Sequence, residues 1–371
     1  MTKVKIYGAG SIGNHLSNAA RSKGWDVTLC DIDSAALERT RNEIYPARYG
    51  AFDEEIELVH CDDAPKGGFD YIFIGTPPDS HVPLALEVVK EKPKAILVEK
   101  PFATPDLKGC QELFDQCKAN GIECFVGYDH AVAASTVKFA EIAKDIKDVK
   151  TLDVFFREHW QGIFNAHPWL DGPADTYLGY WTRGGGALGE HSHALNLWQY
   201  IAQVVGAGKI TEVVATMDYV KDGKAEFDRL ALLNVKTENG LVGSVVQDVV
   251  TKPTLKSMRL QGVDEALEWQ CVPSPYSDKL RIIGEEVKEK IFEKTRPDDF
   301  ITELNHLEDV LAGGKLSPIS IEAGLDTMLV IAAAHLSAQT GEKVTINYAA
   351  GYVPEALSTE SGSGALKQAA A

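Results

Sequence analysis

The sequence predicts an α/β protein in two parts, a doubly wound parallel sheet at the N-terminus and, behind it, an α+β part with a largely antiparallel sheet. Three observations carry that reading. Short apolar runs alternate with amphipathic stretches from Val4 to Gly127, as in a parallel sheet covered on both faces by helices. A glycine-rich turn, Gly8-Ala9-Gly10-Ser11-Ile12-Gly13, joins the first run to the first amphipathic stretch. After about Tyr128 longer β-rich segments follow one another.

Taken in order, Val4-Lys5-Ile6-Tyr7 reads as a strand, the stretch to Lys23 as a helix, Val27 to Cys30 as a strand and Ala35 to Ile44 as a helix. Buried strands follow at Tyr71 to Ile74, Ala95 to Val98 and Glu123 to Val126. Between the last two, Thr104 is placed to cap a helix with Pro105 at its first position. Cys110, Leu113, Phe114 and Cys117 share one face of it, and Gly121 closes it. The second part is expected to hold strands at Thr151 to Arg157, Ile210 to Tyr219, Arg229 to Thr237, Leu241 to Val250 and Met258 to Gly262. Glu238-Asn239-Gly240 reads as a hairpin turn. Helices at Phe300 to Leu311 and Ile321 to about Ser337 end the fold. The boundaries drawn are 1–127, 128–350 and a frayed Ser-, Gly- and Ala-rich tail at 351–371.

At 371 residues, 44% hydrophobic and 25% charged, the chain can fill two cores and is not disordered in composition. A formal charge of -17 repels nucleic-acid phosphates and anionic membrane surfaces over the whole molecule, so neither is an expected partner. No segment is expected to reach the length of about 18 to 20 apolar residues needed to span a bilayer, and no signal-peptide pattern opens the chain, so a cytoplasmic location is expected. The six cysteines include no C-x-x-C pair. They read as buried thiols, with Cys110 and Cys117 packing in a helix.

Chemistry begins at the glycine turn. Gly8 suits the tight turn, Gly10 lets the backbone approach a pyrophosphate, and Gly13 lets helix and strand pack closely. Ser11 and Ile12 open the helix, where unpaired N–H groups and the dipole favour an anion. Asp31 ends the second strand 18 residues after Gly13. There it can bind both ribose hydroxyls of an adenosine and repel a 2'-phosphate, which favours NAD over NADP. Asp33 is the alternative, and capping of the next helix is the structural reading of Asp31.

Gly75-Thr76-Pro77-Pro78-Asp79-Ser80-His81 and Glu99-Lys100-Pro101 each follow a buried strand, at the sheet edge where ligands of doubly wound folds bind. With the glycine turn, in this order and spacing, they resemble the glucose-fructose oxidoreductase / inositol dehydrogenase / rhizopine catabolism (Gfo/Idh/MocA) family, over nearly the whole chain to about Tyr348. The resemblance implies an N-terminal Rossmann domain, a Thr76-Pro77 segment beside the dinucleotide, and a Lys100 that contacts both nicotinamide ribose and substrate hydroxyl. His81 and Glu99 are grouped with the cofactor site.

A second signature of that family places Asp-x-x-x-His at a helix start after a Gly-Gly stretch. Gly184-Gly185-Gly186-Ala187-Leu188-Gly189-Glu190-His191-Ser192-His193-Ala194-Leu195-Asn196 resembles it, with Gly189 where the aspartate would stand and Glu190 as its substitute across a one-residue deletion. The expected roles are His193 as general base, Lys100 as electrostatic partner and proton relay, and Glu190 as orienter of the pair. Arg157, His159, Trp169 and Tyr177, from polar-aromatic segments before the glycines, are expected with His130 and His193 around the substrate. Four of the ten histidines lie between His159 and His193, but their spacing matches no compact zinc motif and no metal is expected.

The function so implied is NAD-dependent hydride transfer at a hydroxyl-bearing carbon of a sugar, cyclitol or nucleotide sugar. The alternatives are a redox-neutral enzyme that retains NAD, either a glycosidase or an internally coupled oxidoreductase, and a non-catalytic nucleotide sensor. The resemblance also implies a homo-oligomer formed through the outer face of the second sheet.

Overall fold

The computed structural model describes residues 1–165, 167, 169–273, 275–314, 316–363 and 366. Its first half runs β1 (Lys3–Tyr7), α1 (Ser11–Ser22), β2 (Asp26–Asp31), α2 (Ser34–Arg39), a π turn at Thr40–Ile44, α3 (Tyr45–Tyr49), β3 (Ile56–His60), β4 (Tyr71–Ile74), α4 (Pro78–Val89), β5 (Ala95–Val98), α5 (Cys110–Asn120) and β6 (Glu123–Val126). The six strands pair in parallel in the order β3-β2-β1-β4-β5-β6. β4 and β5 are buried along their whole length, as four-residue apolar runs require. The order reverses between β1 and β4, so the loops leaving their carboxyl ends diverge and open a crevice.

One boundary differs from the sequence reading. Thr104 caps no helix: its hydroxyl donates to Asp106 Oδ1 at 2.6 Å, and α5 starts only at Cys110. Positive φ angles at Leu107 (58°) and Gly109 (76°) interrupt the helical path in between.

The second half runs α6 (Asp129–Val132), α7 (Ala134–Ala143), β7 (Thr151–Arg157), α8 (Gln161–Asn165), α9 (Gly186–Glu190), α10 (His193–Val204), β8 (Ile210–Asp222), β9 (Ala225–Thr237), β10 (Val242–Asp248), β11 (Leu255–Gln261), β12 (Ala266–Pro273), β13 (Tyr276–Ile283), β14 (Val287–Glu293), α11 (Arg296–Leu311), α12 (Ile321–Thr340), β15 (Val344–Ile346), β16 (Leu357–Thr359) and β17 (Gly362–Ser363). Its sheet has the order β14-β13-β12-β11-β7-β10-β9-β8-β15-β16-β17. Among the described residues only β7 and β10 pair in parallel. The expected turn at Glu238-Asn239-Gly240 joins β9 to β10, with Gly240 at φ 88°.

Sequence reading stopped one strand into a longer meander, since β12, β13 and β14 continue it antiparallel. The tail is also corrected, because β16 and β17 extend the sheet edge. Nearby, Tyr352 N donates to Gln111 Oε1 of α5 at 2.8 Å. Residues 364, 365 and 367–371 of that expected tail lie outside the described residues.

Two helices of the second half reach back to the first sheet. α11 lies on α1, with the His15 and Phe300 rings stacked 4.7 Å apart. α12 enters beside β6, where Val126 N donates to Ile319 O at 2.8 Å. By length and apolarity α12 could cross a membrane, contrary to the sequence expectation, yet most of it is buried inside the protein. Trp198, fully buried on α10, donates from Nε1 to Leu152 O at 2.7 Å and so fixes that helix on β7.

Candidate active site

The crevice at the carboxyl ends of β1, β2 and β4 has the shape its glycines imply. Gly8 has φ 100°, and a Cβ there would lie 2.6 Å from Gly75 O. A Cβ on Gly13 would lie 1.8 Å from Gly8 O, so α1 starts as close to the strand as a backbone can. Above Gly10 a Cβ would meet nothing within 4 Å. The α1 N-terminus has no side-chain cap and no acidic residue in its first turn, which leaves its N–H groups and dipole free for an anion at Ser11 and Ile12. Residues 8–13 therefore fit the diphosphate of a dinucleotide.

Asp31 ends β2 with Oδ2 accepting from Ala9 N at 2.7 Å and Oδ1 from Asp33 N at 2.8 Å. Each oxygen keeps a lone pair for a ribose hydroxyl. Asp33, not Asp31, caps the next helix, accepting from Ala35 N at 2.9 Å. Sequence reasoning missed Arg48 on α3, which donates to Ser11 O and Ser11 Oγ, both at 2.8 Å. Half-burial lowers its pKa, and a guanidinium beside the α1 N-terminus suits an anion there. It lies far from any recognisable motif, so only the fold reveals it.

Thr76 and Pro77 line the β4 loop, with Thr76 Oγ1 accepting from Ser80 at 2.7 Å. His81 is fully buried, its Nε2 2.6 Å from Thr76 O and its Nδ1 3.0 Å from Pro101 O. Burial holds its pKa down to about 4. It braces the β4 and β5 loops against each other, which corrects its grouping with the cofactor contacts. Glu99 is likewise buried, its carboxylate 2.8 Å from where a Gly127 Cβ would sit. Burial pushes its pKa up to about 7, with the neighbouring Lys100 acting in the opposite sense.

Lys100 leaves β5 toward the second sheet. Its Nζ donates to Glu190 O at 2.8 Å and lies 3.2 Å from Glu190 Oε1. Glu190 ends α9, a short helix set by the glycine run. Gly186, at φ 77°, leaves room for Asp228, whose Oδ1 would be 1.9 Å from a Cβ there. Asp228 Oδ2 accepts from Leu188 N at 2.8 Å. This buried carboxyl on β9, pushed up to about 7 by burial, was also missed in the sequence.

His193 starts α10. Its Nδ1 faces Asp129 Oδ1 at 3.7 Å, and its ring packs edge-on against those of His130 (4.9 Å) and Tyr128 (5.6 Å). Burial drives its pKa well below the usual histidine range; Asp129 acts upward, while His130, Lys100 and Lys256 act downward. The ring is therefore neutral and able to accept a proton. The carboxylate facing it is that of Asp129, while Glu190 faces Lys100, so the structure sets Glu190 beside the lysine and not beside the histidine. Donor atoms of Asp129, His130 and His193 all lie within 4.8 Å of one another. Arg296 Nη1, 3.5 Å from Asp129 Oδ2, already supplies positive charge there.

The substrate candidates divide. His130 is buried under the site, edge-on to Phe156 and Trp269. Tyr177 lies by Glu190, and burial raises its phenol pKa, with Glu190 and Glu99 adding to the rise. Arg157 is held by Asp248, Nε to Oδ2 at 2.6 Å, where β7 and β10 end. His159 Nδ1 accepts from Gln161 N at 2.9 Å. Both make contacts to neighbouring backbone or side chains of their own segment or sheet. Trp169 stands apart, 42% exposed and 5.2 Å from the Arg39 guanidinium on α2. That position, on the β2 side of the crevice, corrects its placement beside the substrate.

The family description "oxidoreductase family, NAD-binding Rossmann fold" (Gfo/Idh/MocA) matches residues 2–128. No curated protein matches the chain in sequence. Among solved structures, levoglucosan dehydrogenase in complex with NADH is similar at 16% identity and a TM-score of 0.74, covering 93% of this chain and 98% of that one. The WlbA dehydrogenase from Bordetella pertussis, in complex with NADH and UDP-GlcNAcA, is similar at 20% identity and a TM-score of 0.68, over 93% and 98%. A putative myo-inositol dehydrogenase from Sinorhizobium meliloti reaches 18% identity and a TM-score of 0.71, over 93% and 99%. Residues 2–128 thus match the NAD-binding Rossmann domain of the Gfo/Idh/MocA oxidoreductases, and the fold over 93% of the chain is similar to those solved dehydrogenases.

Proposed function

We propose that the chain is a dehydrogenase or reductase that interconverts a secondary hydroxyl and a carbonyl on a sugar, cyclitol or nucleotide sugar. The observation that carries this reading is the meeting of Lys100, Glu190 and His193 beside the dinucleotide crevice, with the Lys100 charge felt at His193. When bound, the dinucleotide supplies the two-electron acceptor or donor. Gly10 and the open first turn of α1 would take its diphosphate, Asp31 its adenosine ribose, and Thr76 and Pro77 its inner end.

The protein's own part is proton management. His193, neutral, accepts the hydroxyl proton in the oxidative direction. The Lys100 ammonium, steered by Glu190, steadies the negative charge that develops on the substrate oxygen. Solved structures of similar fold that carry sugar-related names support the substrate class.

Titration with NADH and NADPH, followed by a screen of cyclitols, aldoses and nucleotide sugars at the reduced-nicotinamide absorbance band, tests the proposal. Preferential NADH binding with turnover is the expected result. Tight NAD binding with no net reduction on any substrate would replace it with the redox-neutral reading.

A further inference from the structure

We infer that Asp129 is the positioning residue that fixes the proton-accepting form of His193, an inference that rests on the reading of His193 as the base. Asp129 Oδ1 and His193 Nδ1 are both buried and neither has a hydrogen-bond partner. They face each other at 3.7 Å. A buried donor or acceptor left alone costs about 1–3 kcal/mol, and closing this gap by roughly 0.8 Å to an ordinary bond length satisfies both atoms at once. Catalytic hydrogen bonds are commonly long before substrate arrives.

The consequence is chemical. A carboxylate at Nδ1 holds the ring proton there, so the Nε2 lone pair remains free to accept. When a substrate hydroxyl gives up its proton, the O–H bond breaks and an Nε2–H bond forms. The electron pair stays on oxygen and the ring becomes positive. Every other charged side chain that acts on His193 opposes that positive charge. Lys100 reaches it from the β5 loop and Lys256 from β11, and the neutral His130 ring beside it on α6 acts in the same direction. Among the described residues, Asp129 is the carboxylate that faces the ring and acts the other way.

Its second oxygen faces Arg296 at the start of α11 at 3.5 Å, which holds the carboxylate in place and ionised. Glu190 cannot serve in its stead, because its side chain lies against Lys100. The carboxylate thus reaches the histidine from the start of α6, just after β6, while Gly189 occupies the place on the helix side where the motif would carry an acid.

Asp129→Asn keeps the size of the side chain and removes its charge. The expected result is a kcat lower by about 10²- to 10⁴-fold, with an acid limb of the pH–rate profile displaced to lower pH because the ring loses the anion that faces it. NADH affinity should stay within about threefold and Asp129→Glu should recover part of the rate. An acid limb unmoved from wild type would overturn the inference, since a merely structural role does not shift it. Histidine-labelled NMR of wild-type protein gives a second readout that needs no substrate. His193 protonated at Nδ1 in its neutral form supports the inference and protonation at Nε2 overturns it, even if D129N does not fold. If no sugar is turned over but the tautomer is as expected, the proposed reaction fails and the Asp129–His193 pairing stands.

Discussion

Asp228 offers a test of how the site is held that needs no substrate. Its carboxyl is fully buried, with Oδ2 on Leu188 N and Oδ1 without a partner. Burial raises its pKa from 3.8 to about 7, against the opposing backbone N–H groups of Leu188, Asp228 itself and Ala187. The folded protein therefore prefers the neutral acid. Stability from this preference is complete below the unfolded pKa near 4 and is lost as pH rises through about 7. A rise of about three pH units corresponds to about 4 kcal/mol at about 1.4 kcal/mol per unit, and about 3 kcal/mol of that falls between about pH 5 and pH 8.

Asp228→Asn cannot ionise, and its amide oxygen can still accept from Leu188 N. Urea unfolding across this range should show the wild type losing about 3 kcal/mol relative to the variant, so that the variant is the less handicapped protein above about pH 7. Parallel stability curves for the two proteins would refute the account of Asp228 as a buried neutral acid under the glycine run.

Further outcomes follow from other parts of the site. Lys100→Met should lower kcat by about 10²- to 10⁴-fold while NADH affinity changes less than about threefold; an equal loss in both would place the lysine in cofactor binding alone. Gly13→Ala puts a methyl group 1.8 Å from Gly8 O, so fluorescence titration should find NADH binding lost while the fold, read by circular dichroism, survives. Arg48→Met removes a cation beside Ser11 and should weaken NADH binding by about tenfold but leave adenosine binding unchanged; an equal effect on both ligands would rule out a diphosphate contact. Val214, Leu232 and Val242 stand about two-fifths exposed on neighbouring strands β8, β9 and β10. If that face mediates self-association, Leu232→Glu should shift gel-filtration elution toward a smaller species, and a wild type already monomeric would dismiss the idea.

The first sheet was legible because its signals are local. Each buried strand is a short apolar run, each glycine of the turn has a steric reason within a few residues, and the Gly8, Gly13 and Gly75 backbones do meet as the motif requires. The second sheet was legible only in part. β14 reads Val-Lys-Glu-Lys-Ile-Phe-Glu and is exposed along most of its length, so no apolar face announces it; its identity comes from pairing with β13. The helix expected at Thr104 failed for a comparable reason, since a good capping pattern was overridden by the left-handed backbone at Leu107 and Gly109. α12 misled in the opposite direction, because an apolar twenty-residue helix looks alike whether lipid or protein covers it.

At the site itself, sequence proximity identified residues and the fold assigned their partners. Glu190 and His193 are three positions apart, which invites the view that one serves the other. Yet α9 ends at Glu190 and α10 begins at His193, so the two side chains leave from different helices and turn to different neighbours. Lys100, ninety residues away, takes the glutamate, and Asp129, sixty-four residues away, faces the histidine. Trp169 shows the same effect in reverse: a polar-aromatic loop near the glycine run in sequence carries its ring to Arg39 on α2, on the β2 side of the crevice. Residue type and motif therefore select the chemical groups of such a site, while the pairing that sets their protonation is a property of the loops at the carboxyl ends of β5 and β6. For that reason the Asp129 substitution, more than any change to Glu190, should decide how His193 holds its proton.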